Sequence, residues 1–97
     1  MLFAIIARDR ADGAPLRAAH RPEHLAWLEA AGEQVRLAGP LLDAAAQKPR
    51  GSLIIIEAPD LAAAHDFAQN DPFNKAGLFE TVEIAPWRFT LGAWKAA

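Results

Sequence analysis

Two distant segments of the 97-residue chain contain side chains that could pass a proton between them. Arg21-Pro22-Glu23-His24-Leu25 places an imidazole in the predicted opening turn of a helix, and Asn70-Asp71-Pro72-Phe73 places a carboxylate directly before a proline. Histidine exchanges protons near neutral pH, and a neighbouring carboxylate fixes its tautomer and strengthens it as a base. The sequence therefore predicts an acid–base pair of His24 and Asp71.

Each member of this pair also has an ordinary structural role. His24 lies three and four residues before Trp27 and Leu28, which places it at the margin of the helix face that packs on the sheet, where it could be a core histidine. Asp71 could simply cap a turn whose first residue is Pro72. The residues alone leave both alternatives open.

Six further residues could bind or surround a substrate. Arg21 offers a planar fork for a carboxylate or phenolate oxygen, although a solvated surface arginine is the alternative, and Arg17 is a weaker candidate. Ser52, at the start of a predicted central strand, could face the same cleft or only hydrogen-bond at the strand start. Phe73 could form a wall of a pocket for a flat ligand, as could Trp87 and Trp94, although such aromatic residues are more often core or interface anchors.

Neither a metal nor a cofactor is expected. His20 lies four residues before His24, a spacing that could bind a metal on one helix face, but Pro22 argues against a continuous helix through both. The chain has no cysteine, no Walker loop and no dinucleotide fingerprint. We expect His65, on the second helix, to be a surface residue.

Composition restricts the classes of partner. A length of 97 residues predicts one domain over 1–97, and a net charge of −2 gives no basic surface for nucleic acid. The apolar runs from Leu2 to Ala7 and from Leu53 to Ile56 are far shorter than the roughly 20 residues that cross a bilayer, so we expect no membrane association. The lack of cysteine fits the cytoplasm, and we expect Met1 to begin the mature chain.

Periodicity predicts an α+β chain with the element order βαββαβ, which is a ferredoxin-like antiparallel sheet with two helices on one face. Proline at position 40 indicates a bent strand at a sheet edge or a bulge. The expected elements are a strand at 2–7, a loop at 11–16, a helix at 22–34, a strand at 35–42, a turn at 43–50, a strand at 51–57, a helix capped by Asp60 and ending near Ala68, and a last strand within 79–89.

The first and third strands are apolar at consecutive positions, so both faces of the sheet should be covered, whereas two helices cover one face. We expect the second face to pair with an identical sheet in a homodimer, and the tail at 92–97 could reach a neighbour. The alternative is a few exposed apolar side chains.

The order of the short motifs resembles the small YCII-like (YciI) family, in which an arginine and a histidine precede the first helix and a Gly-Pro, a strand led by Gly-Ser and a late Asp-Pro-Phe follow. The matching residues are Arg21, His24, Gly39-Pro40, Gly51-Ser52, Asp71-Pro72-Phe73 and the closing Glu83-Ile84-Ala85-Pro86-Trp87. The resemblance implies this fold, a dimer, and a histidine–aspartate site that maps onto His24 and Asp71.

These observations lead to the hypothesis of a cofactor-free dimeric enzyme. His24, oriented by Asp71, would move a proton on a small cyclic or aromatic-like substrate held by Arg21, in elimination, isomerisation or hydrolysis. The resemblance implies that a dehydrochlorinase of a chlorinated hydroxyquinone is among the relatives. It also implies an arrangement of sheet and helices similar to that of muconolactone isomerases. A non-catalytic ligand-binding or accessory module is the alternative, and the motif pattern disfavours a cofactorless monooxygenase of the same general fold.

Overall fold

The computed structural model describes residues 1–93, so the predicted roles of Trp94 and of the tail beyond it lie outside the described residues. This part of the chain contains four strands and three α-helices. They are β1 Leu2–Asp9, α1 Ala14–Ala31, β2 Val35–Leu42, β3 Pro49–Glu57, α2 Leu61–Gln69, α3 Pro72–Lys75 and β4 Phe79–Trp87, with a 3₁₀ turn at Gly32–Gln34 between α1 and β2.

The four strands form one antiparallel sheet in the order β2-β3-β1-β4. The predicted α+β, ferredoxin-like βαββαβ arrangement is confirmed, with α3 as an additional short helix after α2. β2 is an edge strand, and this position explains why Pro40 is tolerated within it. The register of β2 against β3 shifts near both ends of the strand, between Val35 and Leu37 and between Leu41 and Leu42.

Successive side chains along each strand point to opposite faces of the sheet, and both faces are apolar. Phe3 and Ile5 of β1 and Ile54 and Ile56 of β3 point toward the helices and pack with the small side chains of α2. The intervening residues point to the helix-free face, and of these Ile55 is only 4% exposed. Both faces of the central strands are therefore apolar, as the continuous runs predicted.

The start of α1 corrects the sequence prediction. The helix begins at Ala14, within the predicted loop and eight residues before Pro22, because Pro15 suits the first turn of a helix. Pro22 lies inside the helix at an exposed position. A proline there lacks the N–H that would bond to the fourth residue before it, and packing of the buried helix face compensates for that loss.

The far end of α1 and the ends of the strands differ from their predicted positions by only a few residues. Gly32 has φ 60°, a conformation that glycine adopts without strain, so the α-helix ends at Ala31 and residues 32–34 continue as a 3₁₀ turn. β1 extends to Asp9, β3 begins at Pro49, and β4 ends at Trp87.

Two aspartates in the second half of the chain cap the N-termini of helices. Asp60 accepts a hydrogen bond from the backbone N–H of Ala63 at 2.8 Å, so α2 begins where the sequence predicted. Asp71 accepts one from the N–H of Phe73 at 2.9 Å and starts α3. Within residues 1–93, no helix combines the length and the hydropathy needed to span a bilayer.

Candidate active site

A cavity of about 410 Å³ lies between α1, the edge strand β2 and the turn that joins β2 to β3, and we name it the α1 cavity. One face of α1 lines it, with residues at helical spacing: Ala14, Arg17, Ala18, Arg21, His24, Leu25 and Leu28. Pro40, Lys48 and Pro49 belong to the opposite wall, and Ser52, Ile54 and Phe73 also line the cavity. Its volume suits a small ring-shaped ligand.

His24 and Asp71 are in contact although 47 positions separate them. The imidazole Nδ1 lies 2.8 Å from the carboxylate Oδ1, and the two residues are 7% and 2% exposed. The predicted contact is therefore present. The capping role of Asp71, which the sequence left as an alternative, is present too, because the same Oδ1 accepts the N–H of Phe73.

This contact determines the tautomer of the neutral imidazole. An ionised carboxylate only accepts hydrogen bonds, so Nδ1 carries the hydrogen and donates it to Asp71. The lone pair of the neutral ring is then on Nε2. His24 lines the α1 cavity, so in this tautomer its Nε2 can act as a general base at the cavity wall.

Phe73 holds the imidazole from one side. Its ring stacks on His24 with 4.0 Å between centroids and 18° between planes, and it is fully buried. On α1, one turn after His24, Trp27 makes a tilted contact at 6.0 Å. Stacking and the carboxylate together restrict rotation of the imidazole.

The main feature that sequence reasoning missed is a buried ion pair at the same site. Arg17 donates from Nε to Asp9 at 2.7 Å and from a terminal nitrogen to the other Asp9 oxygen at 3.0 Å. The same terminal nitrogen lies 3.2 Å from the Ser52 hydroxyl, and the guanidinium carbon lies 4.5 Å from the centre of the Phe73 ring. The signal for it was the spacing of seven residues between Arg17 and His24, which places both on one face of a helix that begins near Pro15.

Ser52 and Arg21 both line the α1 cavity. Because Arg17 donates to Ser52 Oγ, the hydroxyl hydrogen of Ser52 is not used in that bond and can be donated to another acceptor. Arg21 is exposed. Within residues 1–93 its guanidinium forms no salt bridge, so it is available to an anionic ligand.

The other two histidines of the chain, His20 and His65, lie outside the contact between His24 and Asp71. His20 and His24 lie on one continuous helix, contrary to the prediction, because Pro22 does not interrupt α1. Even so, His20 approaches Glu23 at 3.6 Å whereas His24 contacts Asp71, and residues 1–93 contain no cluster of three His, Cys, Asp or Glu side chains suited to a metal. His65 is exposed on α2, as predicted.

Trp87 does not contribute to the α1 cavity. It lies at the end of β4, contacts Phe89 with 6.4 Å between ring centroids, and lines a separate cavity near Met1. That Trp87 could form the wall of a pocket for a flat ligand stays a prediction, and the cavity that it lines is not the one that contains His24. The register explains why: Trp87 pairs with Leu2 at the opposite end of β1 from Asp9.

A solved structure of an enzyme has the same fold as this protein. A structure of 5-chloro-2-hydroxyhydroquinone dehydrochlorinase (TftG) from Burkholderia phenoliruptrix AC1100, in complex with 2,5-dihydroxybenzoquinone, superposes with a TM-score of 0.87. The two proteins are 35% identical, and the alignment covers 93% of this chain and 96% of that one. A protein similar to this one is therefore an enzyme that acts on a hydroxylated ring.

Sequence comparison identifies the family. Protein YciI of Escherichia coli O6:H1 is 37% identical over 95 residues, covering 91% of this chain and 97% of the relative, and an uncharacterised protein of Haemophilus influenzae is 33% identical over the same coverage. The model of the YCII-related domain matches residues 1–88. The resemblance predicted from the short motifs is confirmed, and the chain belongs to the YCII-related family.

Proposed function

We propose that this protein is a small acid–base enzyme that acts on a small cyclic or aromatic-like substrate, with His24 as the proton-transferring base and Asp71 as its partner. The observation that carries the proposal is the buried 2.8 Å contact between them at the wall of a cavity of about 410 Å³. Elimination is the leading reaction, since a protein of the same fold and 35% identity is a dehydrochlorinase. Isomerisation and hydrolysis use the same proton transfer.

In the elimination, His24 Nε2 accepts a proton from the substrate. The electron pair of the broken bond moves into the ring system, and the leaving group departs with the pair of its own bond, so the net loss from a chlorinated hydroxyquinol is HCl. The imidazolium that forms is stabilised by the carboxylate of Asp71 at Nδ1. This chemistry needs only a base and a stabilised anion, so we propose that it requires neither a metal nor a cofactor.

Three residues are proposed to bind the substrate. Phe73, whose ring stacks on His24, lines the cavity. The Ser52 hydroxyl donates to a substrate oxygen because its acceptor side is engaged by Arg17. Arg21 binds an anionic oxygen through its free guanidinium. Charge accumulating on the substrate oxygens during proton removal would strengthen both of these contacts.

The test uses 5-chloro-2-hydroxyhydroquinone and follows chloride release. The unsubstituted protein should release chloride, and His24→Asn should lose most of this activity because its amide cannot accept the proton at neutral pH. His65→Asn is the matched control, since it removes an exposed histidine on α2, and it should retain full activity. Activity that survives in His24→Asn would overturn the assignment of the base. Binding of the ring without turnover by the unsubstituted protein would instead favour a ligand-binding or accessory module.

We also propose that the protein is a homodimer joined through the helix-free face of its sheet. Ile6 and Leu53 present half-buried apolar side chains there, and Leu37 of β2 adds another that is 36% exposed. A domain of this size gains much of its buried area by association, and an identical sheet fits such a flat apolar surface. Nucleic acid is not proposed as a partner, because the net charge of −2 gives no basic surface for it.

A cytoplasmic location is proposed as well. Its support is compositional: the chain contains no cysteine, so its stability does not depend on an oxidising compartment. Fractionation of cells that produce the protein, with an antibody against it, tests this proposal.

A further inference from the structure

The charges around the α1 cavity are unbalanced. Arg17, Arg21 and Lys48 are among the described residues that line it, and none of those lining residues is acidic. The chain as a whole carries a net charge of −2, so the excess of positive charge is local to this cavity. A local field of this kind raises the concentration and affinity of an oppositely charged ligand.

The three cations are not equivalent. Arg17 is buried and forms a bidentate pair with Asp9, so its charge is largely compensated. Arg21 and Lys48 are exposed, and within residues 1–93 neither forms a salt bridge. The carboxylate in the turn of Lys48, Asp43, accepts the backbone N–H of Gln47 at 3.0 Å and interacts with the charge of Lys48 only at longer range, without a salt bridge. Arg21 and Lys48 are therefore both able to bind an anion in the cavity.

Arg21 and Lys48 come from different elements. Arg21 lies on α1, one turn before His24, whereas Lys48 lies in the turn that joins β2 to β3. Apolar side chains, including Leu25, Leu28 and Pro40, make up much of the surrounding wall. Apolar walls exclude water and strengthen the attraction between a cation and a bound anion.

We propose that the α1 cavity selects ring substrates in their ionised form, and that Lys48 acts with Arg21 as a specificity-determining residue that binds the negative charge. The inference rests on the proposed function, since it concerns the substrate of the same site. It goes further in defining the substrate class as a hydroxylated ring carrying an oxyanion, and in assigning a role to Lys48. The apolar wall accommodates the ring while the two cations bind its charged oxygens.

The experiment measures binding and does not require turnover. Isothermal titration calorimetry at neutral pH compares 2,5-dihydroxybenzoquinone, whose hydroxyl groups are ionised as vinylogous acids, with 2,5-dimethoxybenzoquinone, which has the same ring but cannot ionise. The dihydroxy compound should bind more tightly, and added salt should weaken its binding. Lys48→Met and Arg21→Met should each raise its Kd roughly fivefold while leaving binding of the dimethoxy compound unchanged.

Two variants serve as controls. Lys75→Met removes an exposed lysine on α3 away from the cavity wall and should leave both Kd values unchanged, whereas Lys48→Arg keeps the charge and should retain binding of the dihydroxy compound. Circular dichroism verifies that each variant is folded. Equal binding of the two quinones, no binding of either, or an unchanged Kd in Lys48→Met would overturn the inference. Charge-dependent binding without chloride release would support it while overturning the proposed reaction.

Discussion

Arg17 and His24 lie two helical turns apart on α1, and both contact the ring of Phe73. The guanidinium carbon is 4.5 Å from the ring centre, and the imidazole centroid is 4.0 Å from it. Each is also bonded to its own buried carboxylate, Arg17 to Asp9 and His24 to Asp71. The proposed base is thus part of a cluster in which side chains of β1, α1 and the start of α3 hold one another in place.

Asp71→Asn is expected to reduce kcat by roughly 10²- to 10⁴-fold with little change in KM, since an amide cannot stabilise the imidazolium and need not keep the hydrogen on Nδ1. Asparagine is a good helix cap, so α3 should persist. Asp60→Asn, at the cap of α2, is the matched control and should leave kcat unchanged. Steady-state kinetics of chloride release measure both, and equal effects of the two variants would refute a special role for Asp71.

Asp9→Asn should destabilise the fold by about 3 kcal/mol, because it leaves the buried Arg17 without its charged partner. Asp12→Asn removes the partner of an exposed pair with Arg10 at 3.7 Å and should change the free energy of unfolding by less than about 0.5 kcal/mol. Urea unfolding at neutral pH gives both values. Similar small effects would show that the Asp9–Arg17 pair is not a stabilising element.

The turn between β2 and β3 should lose stability in acid. The backbone N–H of Gln47 hydrogen-bonds to Asp43 and lowers the pKa of that carboxyl from its ordinary value of 3.8. A carboxyl with a lowered pKa in the folded state stabilises that state above the unfolded pKa, and the contribution disappears as pH falls through the folded pKa. Asp43→Asn keeps an acceptor oxygen without a charge, so its stability should fall less between pH values of about 6 and 2 than that of the unsubstituted protein.

Unfolding curves for the two proteins across this range supply the comparison. Asp12→Asn is a control, since the carboxyl of Asp12 is exposed in a different loop. Parallel pH profiles for the unsubstituted protein and Asp43→Asn would show that the turn makes no such contribution.

The proposed dimer predicts twice the monomer mass of 10.5 kDa in size-exclusion chromatography with light scattering at micromolar concentration. Leu37→Glu introduces a charge on the helix-free face and should yield a folded monomer. Leu61→Glu alters a side chain that is 43% exposed on α2, against 36% for Leu37, and should leave the dimer intact. A folded monomer of the unsubstituted protein would reject the proposed interface.

Much of the fold could be predicted because local patterns were unambiguous. The apolar runs of β1 and β3 indicated strands, Asp60 marked the start of α2, and Asp71-Pro72 marked the end of a helix. The start of α1 was missed because two prolines, Pro15 and Pro22, both suit a first turn, and the choice between them depends on which side chains pack on the sheet. Local propensity does not contain that information.

Some residues of the candidate site could likewise be predicted from the sequence, and others could not. His24 and Asp71 could be singled out because their residue types are suited to acid–base chemistry, and their contact is present. The partnership of Asp9 with Arg17 depends on the direction in which α1 leaves β1, and the position of Lys48 depends on how the turn after β2 folds beside α1. Both are consequences of tertiary structure, which residue spacing alone does not specify.

A single residue, Asn70, joins α2 to the aspartate that both starts α3 and contacts the imidazole. One residue turns an α-helix by about 100°, so an insertion or deletion here would redirect the Asp71 carboxylate away from His24. Among proteins that keep the histidine–aspartate contact, the one-residue spacing between α2 and the aspartate is therefore expected to stay fixed.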